Sequence, residues 1–216
     1  KECKSQGVKP IIGCEVYVAP GSRFDKQKQP DGNYSHLVLL CENNEGYQNL
    51  IKLVSLGFTD GFYTRPRVDR ELLEKYHTGL IALSACLAGE IPRAIMDGNY
   101  DKARDTALWY KNLFGEKNFF LEVQNHGIAE QQTVNSYIQK LSRETGIPMV
   151  ATNDVHYPNK DDSFMHKVLL CVQTGSKIGE QNALEFKTEE FYLKSESEMR
   201  QALSGFDDAI QNTQKI

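Results

Sequence analysis

The sequence predicts an α/β fold: a mostly parallel sheet covered by helices, either open and doubly wound or closed as a barrel. Three observations predict it. Apolar and β-branched runs alternate along the chain with amphipathic stretches of about 10 to 18 residues, the beat of strand and crossover helix. Gly115 and Gly146 close two of the long stretches just before the next apolar run, where a left-handed glycine commonly ends a helix. The chain has 216 residues, 40% hydrophobic and 25% charged, enough to bury a core in one large domain or two small ones.

Each element follows in order. KECKSQG (1–7) reads as the last turn of a helix stopped at Gly7, and the β-branched run after it predicts a strand from about Ile11 to Val18. A polar loop, GSRFDKQKQPDGN (21–33), leads to a second strand, SHLVLLCE (35–42), an order that suggests a hairpin or neighbouring strands. NEGYQNLIKLVSLG (44–57) places Tyr47, Leu50, Ile51 and Val54 on one helical face, and VDRELLEKY (68–76) repeats the pattern more briefly. TGLIALSACL (78–87) is the next strand, NYDKARDTALWYKNLFG (99–115) a long helix, and NFFLEVQ (118–124) another strand. The helix AEQQTVNSYIQKLSRETG (129–146) precedes the strand PMVATND (148–154). A helix DSFMHKVLLCVQTG (162–175), a short segment EFYLKS (190–195), a capping box from Ser195 to Glu198 and a helix start at FDDAIQNTQKI (206–216) complete the pass. No repeat or low-complexity tract interrupts it.

Charge and composition exclude several classes. The formal net charge is -4, and the densest basic run is Arg65 to Arg67, so the electrostatic footprint of an independent nucleic-acid binder is missing. No stretch approaches the roughly 18 apolar residues that cross a bilayer, and no secretory leader is visible, which points to a cytoplasmic protein with no membrane partner. The five cysteines, Cys3, Cys14, Cys41, Cys86 and Cys171, have no CxxC spacing and are expected as reduced thiols. Lys1 in place of an initiator methionine and the unpunctuated end NTQKI lead us to expect a fragment.

In parallel α/β folds, sites form where the C-terminal ends of strands gather. Glu15 interrupts an apolar strand; Cys86 follows LIALSA; Glu122 and Gln124 share a face of FFLEVQ, with His126 just beyond; Asp154 and His156 follow MVATN. If that chain stays extended, its period of two turns Asp154 and His156 to the same side, a D-x-H step that suits a metal. His36 opens its strand, but antiparallel pairing with the Glu15 strand would bring the two side chains together. This mixed N, O and S set is one that zinc accepts, with iron or manganese as rivals. Blander roles compete: Glu15 half-exposed on an edge strand, His36 a hydrogen-bonded core histidine, Cys86 a packing residue. His77, at a helix terminus, and His166, in an amphipathic helix, are assigned to structure. With no phosphate-binding glycine fingerprint and no Ser-His-Asp or Cys-His-Asn order, metal-assisted hydrolysis is the chemistry the residues support.

Six blocks in register, GVKPIIGCEVYVAPGSR, HLVLLCENNEGYQNLIKLVS, PRVDRELLEKYHTGLIALSACLAGEIP, FFLEVQNHGI, GIPMVATNDVHY and LLCVQTGSKI, strongly resemble the polymerase-and-histidinol-phosphatase (PHP) domain at the N-terminus of the bacterial replicative DNA polymerase III alpha subunit. The resemblance covers essentially the whole chain. It implies a PHP-type distorted (βα)7 barrel, truncated at its N-terminus, over residues 1–204, with 205–216 starting the connection to a polymerase domain. It implies a cleft for up to three metals, with a bridging carboxylate at Glu15, further ligands at His36 and Cys86, and a closing pair at Asp154 and His156. Glu15, Asp154 and His156 would be the catalytic residues. The family's H-x-H strand and TDHG turn would lie upstream of Lys1, so metal binding by this piece is expected to be weak.

For the parent, the resemblance implies DNA-directed DNA polymerase activity, with a PHP domain acting as a metal-dependent 3′ to 5′ exonuclease or as a scaffold for the proofreading subunit. DNA, the rest of the polymerase chain, the proofreading exonuclease subunit and the sliding clamp are the implied partners. The alternative is a free-standing metal-dependent phosphatase of the histidinol-phosphatase type.

Overall fold

The computed structural model describes residues 1–28, 34–180 and 184–216. The last residues of the expected polar loop, 29–33, lie outside them. Among the described residues, one sheet is built from β1 (Gly13–Val18), β2 (Ser35–Cys41), β3 (Arg67–Val68), β4 (Leu80–Leu83), β5 (Phe119–Val123) and β6 (Met149–Ala151), in the order β3-β1-β2-β4-β5-β6. β1 with β3, β4 with β5, and β5 with β6 are parallel, whereas β2 is antiparallel to both its neighbours, β1 and β4. The sheet is thus mostly parallel, with one reversed strand near its middle. That reversal sets the start of β2 beside the C-terminal ends of β1 and β4.

The helices are α1 (Glu2–Ser5), α2 (Asn44–Thr59), α3 (Arg70–Tyr76), α4 (Glu90–Met96), α5 (Tyr100–Phe114), α6 (Ala129–Thr145), α7 (Ser163–Thr174), α8 (Glu196–Ala202) and α9 (Asp207–Asn212). Side chains from α2 to α6 and α9 share one large core with one face of the sheet, including Leu37, Leu39, Leu53, Leu73, Phe119, Leu121, Ile138 and Leu141. The other face carries a much smaller cluster, Ile81, Leu83, Phe120 and Val150, with Val38, Leu40 and Ile216 against it. Helices gathered on one face form the outer layer of a barrel wall rather than the two-sided cover of a doubly wound sheet, although among the described residues the sheet does not close. No described helix is long and apolar enough to cross a membrane.

Local chemistry explains the helix ends. Asn43, Asp69, Asn99 and Ser195 each accept a backbone N–H at the start of α2, α3, α5 and α8, and the box from Ser195 to Glu198 closes as expected. Gly146 and Gly175 end α6 and α7 in the left-handed conformation.

Several expectations are corrected. The first strand begins at Gly13, not Ile11: Gly13 with Leu40 is its last paired position, one further bond joins the Cys41 N–H to the Ile12 carbonyl, and Ile11 and Ile12 are exposed. The buried face of α2 is Gly46, Asn49, Leu50, Leu53 and Gly57, while Tyr47 and Ile51 face out. Glycines decide that face. A Cβ on Gly46 would lie 1.8 Å from the Gly79 carbonyl oxygen, an approach that the spacing of large apolar residues does not reveal. Val68 belongs to β3 rather than to the helix after it, and α4 was not anticipated. The strand expected over 148–154 stops at Ala151, and around 190–195 the chain makes a single bridge, Tyr157 with Tyr192.

Gly46→Ala is therefore expected to lower unfolding free energy by about 1 to 3 kcal/mol, because α2 must back away from the Gly79 turn. Urea denaturation checks this, and an unchanged midpoint would show that the helix can shift freely.

Candidate metal centre

β1 alternates between the two faces of the sheet. Val16 and Val18 enter the large core, so Glu15 and Tyr17 face the other way. Glu15 lies opposite Val38 and Tyr17 opposite His36, which makes Glu15 and His36 diagonal neighbours on one face. Their side chains meet, with His36 Nδ1 2.9 Å from Glu15 Oε1.

Cys86 reaches the same point from the turn after β4. Its Sγ lies 3.7 Å from His36 Nδ1. The turn doubles back: the Gly89 N–H bonds to the Cys86 carbonyl and the His36 N–H to the Ala88 carbonyl. Gly89 is required there, since a Cβ would fall 2.2 Å from the Ser84 carbonyl oxygen. One ligand atom each from Glu15, His36 and Cys86 lies within 4.8 Å of the others.

Electrostatics bind the three together. Burial pulls the His36 imidazole down, but the Cys86 thiol and then the Glu15 carboxylate outweigh it and hold the ring up at about 9. The ring is therefore protonated near neutrality, and a cation taking that position displaces the proton, because metal ligands bind in their deprotonated forms.

Asp154 and His156 form a second group, but not by the expected route. With β6 ended at Ala151, Asp154 sits at φ 43, so the chain is not extended and period-two alternation does not apply. The pair is close nonetheless, His156 Nδ1 lying 3.9 Å from Asp154 Oδ1. That nitrogen is also 2.6 Å from the Asp154 carbonyl oxygen. A carbonyl only accepts, so Nδ1 carries a hydrogen, and Nε2 is the ring nitrogen left to face a ligand. Burial pushes the Asp154 carboxyl up, the His156 ring opposes it, and the Glu15 charge pushes it up further. The two groups thus sense each other's charge.

The other polar residues near the strand ends have different roles. His126 is fully buried and uses both ring nitrogens: Nε2 donates to the Asn153 carbonyl and Nδ1 accepts from Gln131, while the ring stacks on Phe191 at 3.9 Å. It is a satisfied core histidine that holds the loop before Asp154. Gln124 donates to the Thr152 hydroxyl. His77 caps α3 as expected. His166, assigned to structure, lies with its ring 5.5 Å from that of His156 and stacks on Phe186.

Sequence reasoning singles out Glu122 near a strand end without including it in the ligand set, and does not name Thr152. Glu122 is 5% exposed, its carboxylate accepting from the Thr152 hydroxyl at 2.7 Å and from the Ala85 N–H. Burial pushes its carboxyl up to about 7 against those two hydrogen bonds, and the charges of Asp154 and Glu15 push the same way. An acid inside the wholly buried run FFLEV was the available signal.

A model of the PHP domain family matches residues 1–126. The chain belongs to the PHP domain family. Along its whole length it is 45% identical to a DNA polymerase III subunit alpha of Borreliella burgdorferi, covering 19% of that protein, and 45% identical to one of Treponema pallidum, covering 18%. A DNA polymerase III subunit alpha of Thermus aquaticus is 44% identical over the whole chain, which covers 18% of it. The chain thus spans about a fifth of the length of the curated relatives it matches. The PHP match ends before Asp154 and His156, whereas these relatives align through them.

The donors of this PHP chain suit a divalent cation. Ligand atoms sharing a tetrahedral zinc lie about 3.3 to 3.8 Å apart; the His36–Cys86 separation of 3.7 Å falls in that range, whereas the 2.9 Å between His36 and Glu15 is a hydrogen-bond contact that an entering cation would open. An imidazole, a thiol and a carboxylate side by side form a group that a cation can organise.

Proposed function

We propose that this chain is the PHP part of a DNA polymerase III alpha subunit, and that Glu15, His36, Cys86, Asp154 and His156 together hold divalent metal for phosphodiester hydrolysis of the 3′ to 5′ exonuclease kind. One observation carries the reading: Glu15, His36 and Cys86 meet where strand ends gather, with Asp154 and His156 in electrostatic reach. The mixed oxygen, nitrogen and sulfur donors favour zinc. A bound cation would supply Lewis-acid polarisation of a phosphoryl oxygen and acidify water. The chain's own groups have separate parts. Glu15 contributes the negative charge beside His36, Cys86 the soft donor, and the Asp154 carbonyl orients His156 so that Nε2 faces away from its own backbone.

Relatives that match the chain from end to end bear the polymerase name, which supports polymerisation on DNA as the parent's activity over a free-standing phosphatase. The rest of the polymerase chain and DNA are the proposed partners. A second reading, a docking scaffold for a proofreading subunit, draws on α7, where Met165, Leu169 and Val172 are exposed at helical spacing.

His156→Ala in the full-length polymerase tests the first reading. Metal-dependent exonuclease activity is expected to fall to background while primer extension stays measurable. Nuclease activity that survives the change rules out the site assignment.

A further inference from the structure

We propose that Glu122 is a positioning residue whose single carboxylate fixes two ligand-bearing loops at once, the Ala85–Cys86 turn on one side and the Thr152–His156 loop on the other. The inference rests on the metal-site reading above. β5 lies between β4 and β6, so an acid on it can reach the ends of both neighbours. Oε2 accepts the N–H of Ala85, the residue before Cys86, and Oε1 accepts the hydroxyl of Thr152, two residues before Asp154.

Both loops need holding. Ala85 has φ 64, a left-handed conformation that side chains other than glycine resist, and Asp154 has φ 43. Such backbones persist only where their surroundings over-determine them. Around Ala85 the surroundings are a closed set: Ser84 Oγ accepts the Glu122 N–H at 2.8 Å, while the Glu122 carboxylate takes the Ala85 N–H in return. Around Thr152, the hydroxyl donates to Glu122 and accepts from Gln124 at 2.9 Å, so its orientation is fixed. Glu122 needs to touch no cation to act. It sets where Cys86 stands relative to Asp154 and His156, and outer groups of that kind typically change metal affinity by about 10 to 100-fold when removed.

The test combines site-resolved hydrogen exchange with metal titration on the full chain. Two backbone amides report the two loops: Gly89, bonded to the Cys86 carbonyl, and His156, bonded to the Phe191 carbonyl. In Glu122→Ala both are expected to exchange about tenfold faster or more, while amides in the middle of α5 keep their rates. In Thr152→Val, which keeps the shape and removes the hydroxyl, the His156 amide alone should speed up. Cobalt(II), whose thiolate charge-transfer band reports Cys86 ligation, is expected to bind Glu122→Ala about 10 to 100-fold more weakly than the wild type. Glu122→Gln keeps one acceptor oxygen and should fall between.

Unchanged exchange at both amides in Glu122→Ala overturns the proposal, as does acceleration in α5 to the same extent together with an unaltered His156 amide in Thr152→Val. A wild-type protein that gives no cobalt band defeats the metal reading instead, and the exchange rates still decide whether Glu122 braces the loops.

Discussion

Glu15→Ala is expected to weaken divalent-metal binding at least about 100-fold, as measured by competition with a chromophoric chelator, while leaving the fold intact. Glu15 is the carboxylate of the cluster it forms with His36 and Cys86. Without it, His36 loses one of the two groups that hold its ring up, and Asp154 is left as the one carboxylate of the proposed ligand set. The fold should hardly notice, because the Glu15 side chain is 38% exposed and its contact with His36 lies near the surface. Exposed ion pairs are typically worth at most about 1 kcal/mol. A metal affinity within a few-fold of wild type would remove Glu15 from the ligand set. A large fall in melting temperature would show instead that the residue serves packing.

Phe119→Ala carries the largest expected cost in stability, about 3 to 5 kcal/mol by urea denaturation. Phe119 is fully buried, stacks on Tyr110 with centroids 5.3 Å apart, and sits opposite Ala82 where β5 meets β4. Its neighbours belong to the large core, Tyr110 itself being buried, and close packing there leaves little scope for collapse into the void. For a domain of this size each kcal/mol lowers the melting temperature by about 2 to 4 °C, so the shift should be easily measured. A loss below about 1 kcal/mol would mean that the α5 side of the sheet repacks readily.

The proximity of three side chains in the candidate site was legible in residue order. Glu15 inside an apolar strand and His36 at the head of the next require only antiparallel pairing to meet, and β1 and β2 pair that way. Cys86 follows β4 and reaches the same point as anticipated. Elsewhere the information lay in contacts that no local pattern encodes. The α2 face turns on Gly46 approaching Gly79, a backbone event invisible to the spacing of large side chains. Asp154 and His156 pair through a left-handed turn rather than by strand alternation, because β6 loses its partner after Ala151. The role of Glu122 depends on Ala85 and Thr152, which stand 37 and 30 residues away from it. The position of the helices, gathered on one face, came from the packing and distinguishes a barrel wall from a doubly wound sheet.

The alternation along β2 ties accuracy of assembly to chemistry. Leu37, Leu39 and Cys41 point into the large core, while His36, Val38 and Leu40 point to the opposite face. Were β2 to slide by one residue against its neighbours, the imidazole would be driven into hydrocarbon and a leucine would take its place beside Glu15. A mis-threaded molecule is thereby both unstable and without the grouping of Glu15, His36 and Cys86, so the same error that spoils the interior also scatters the candidate site.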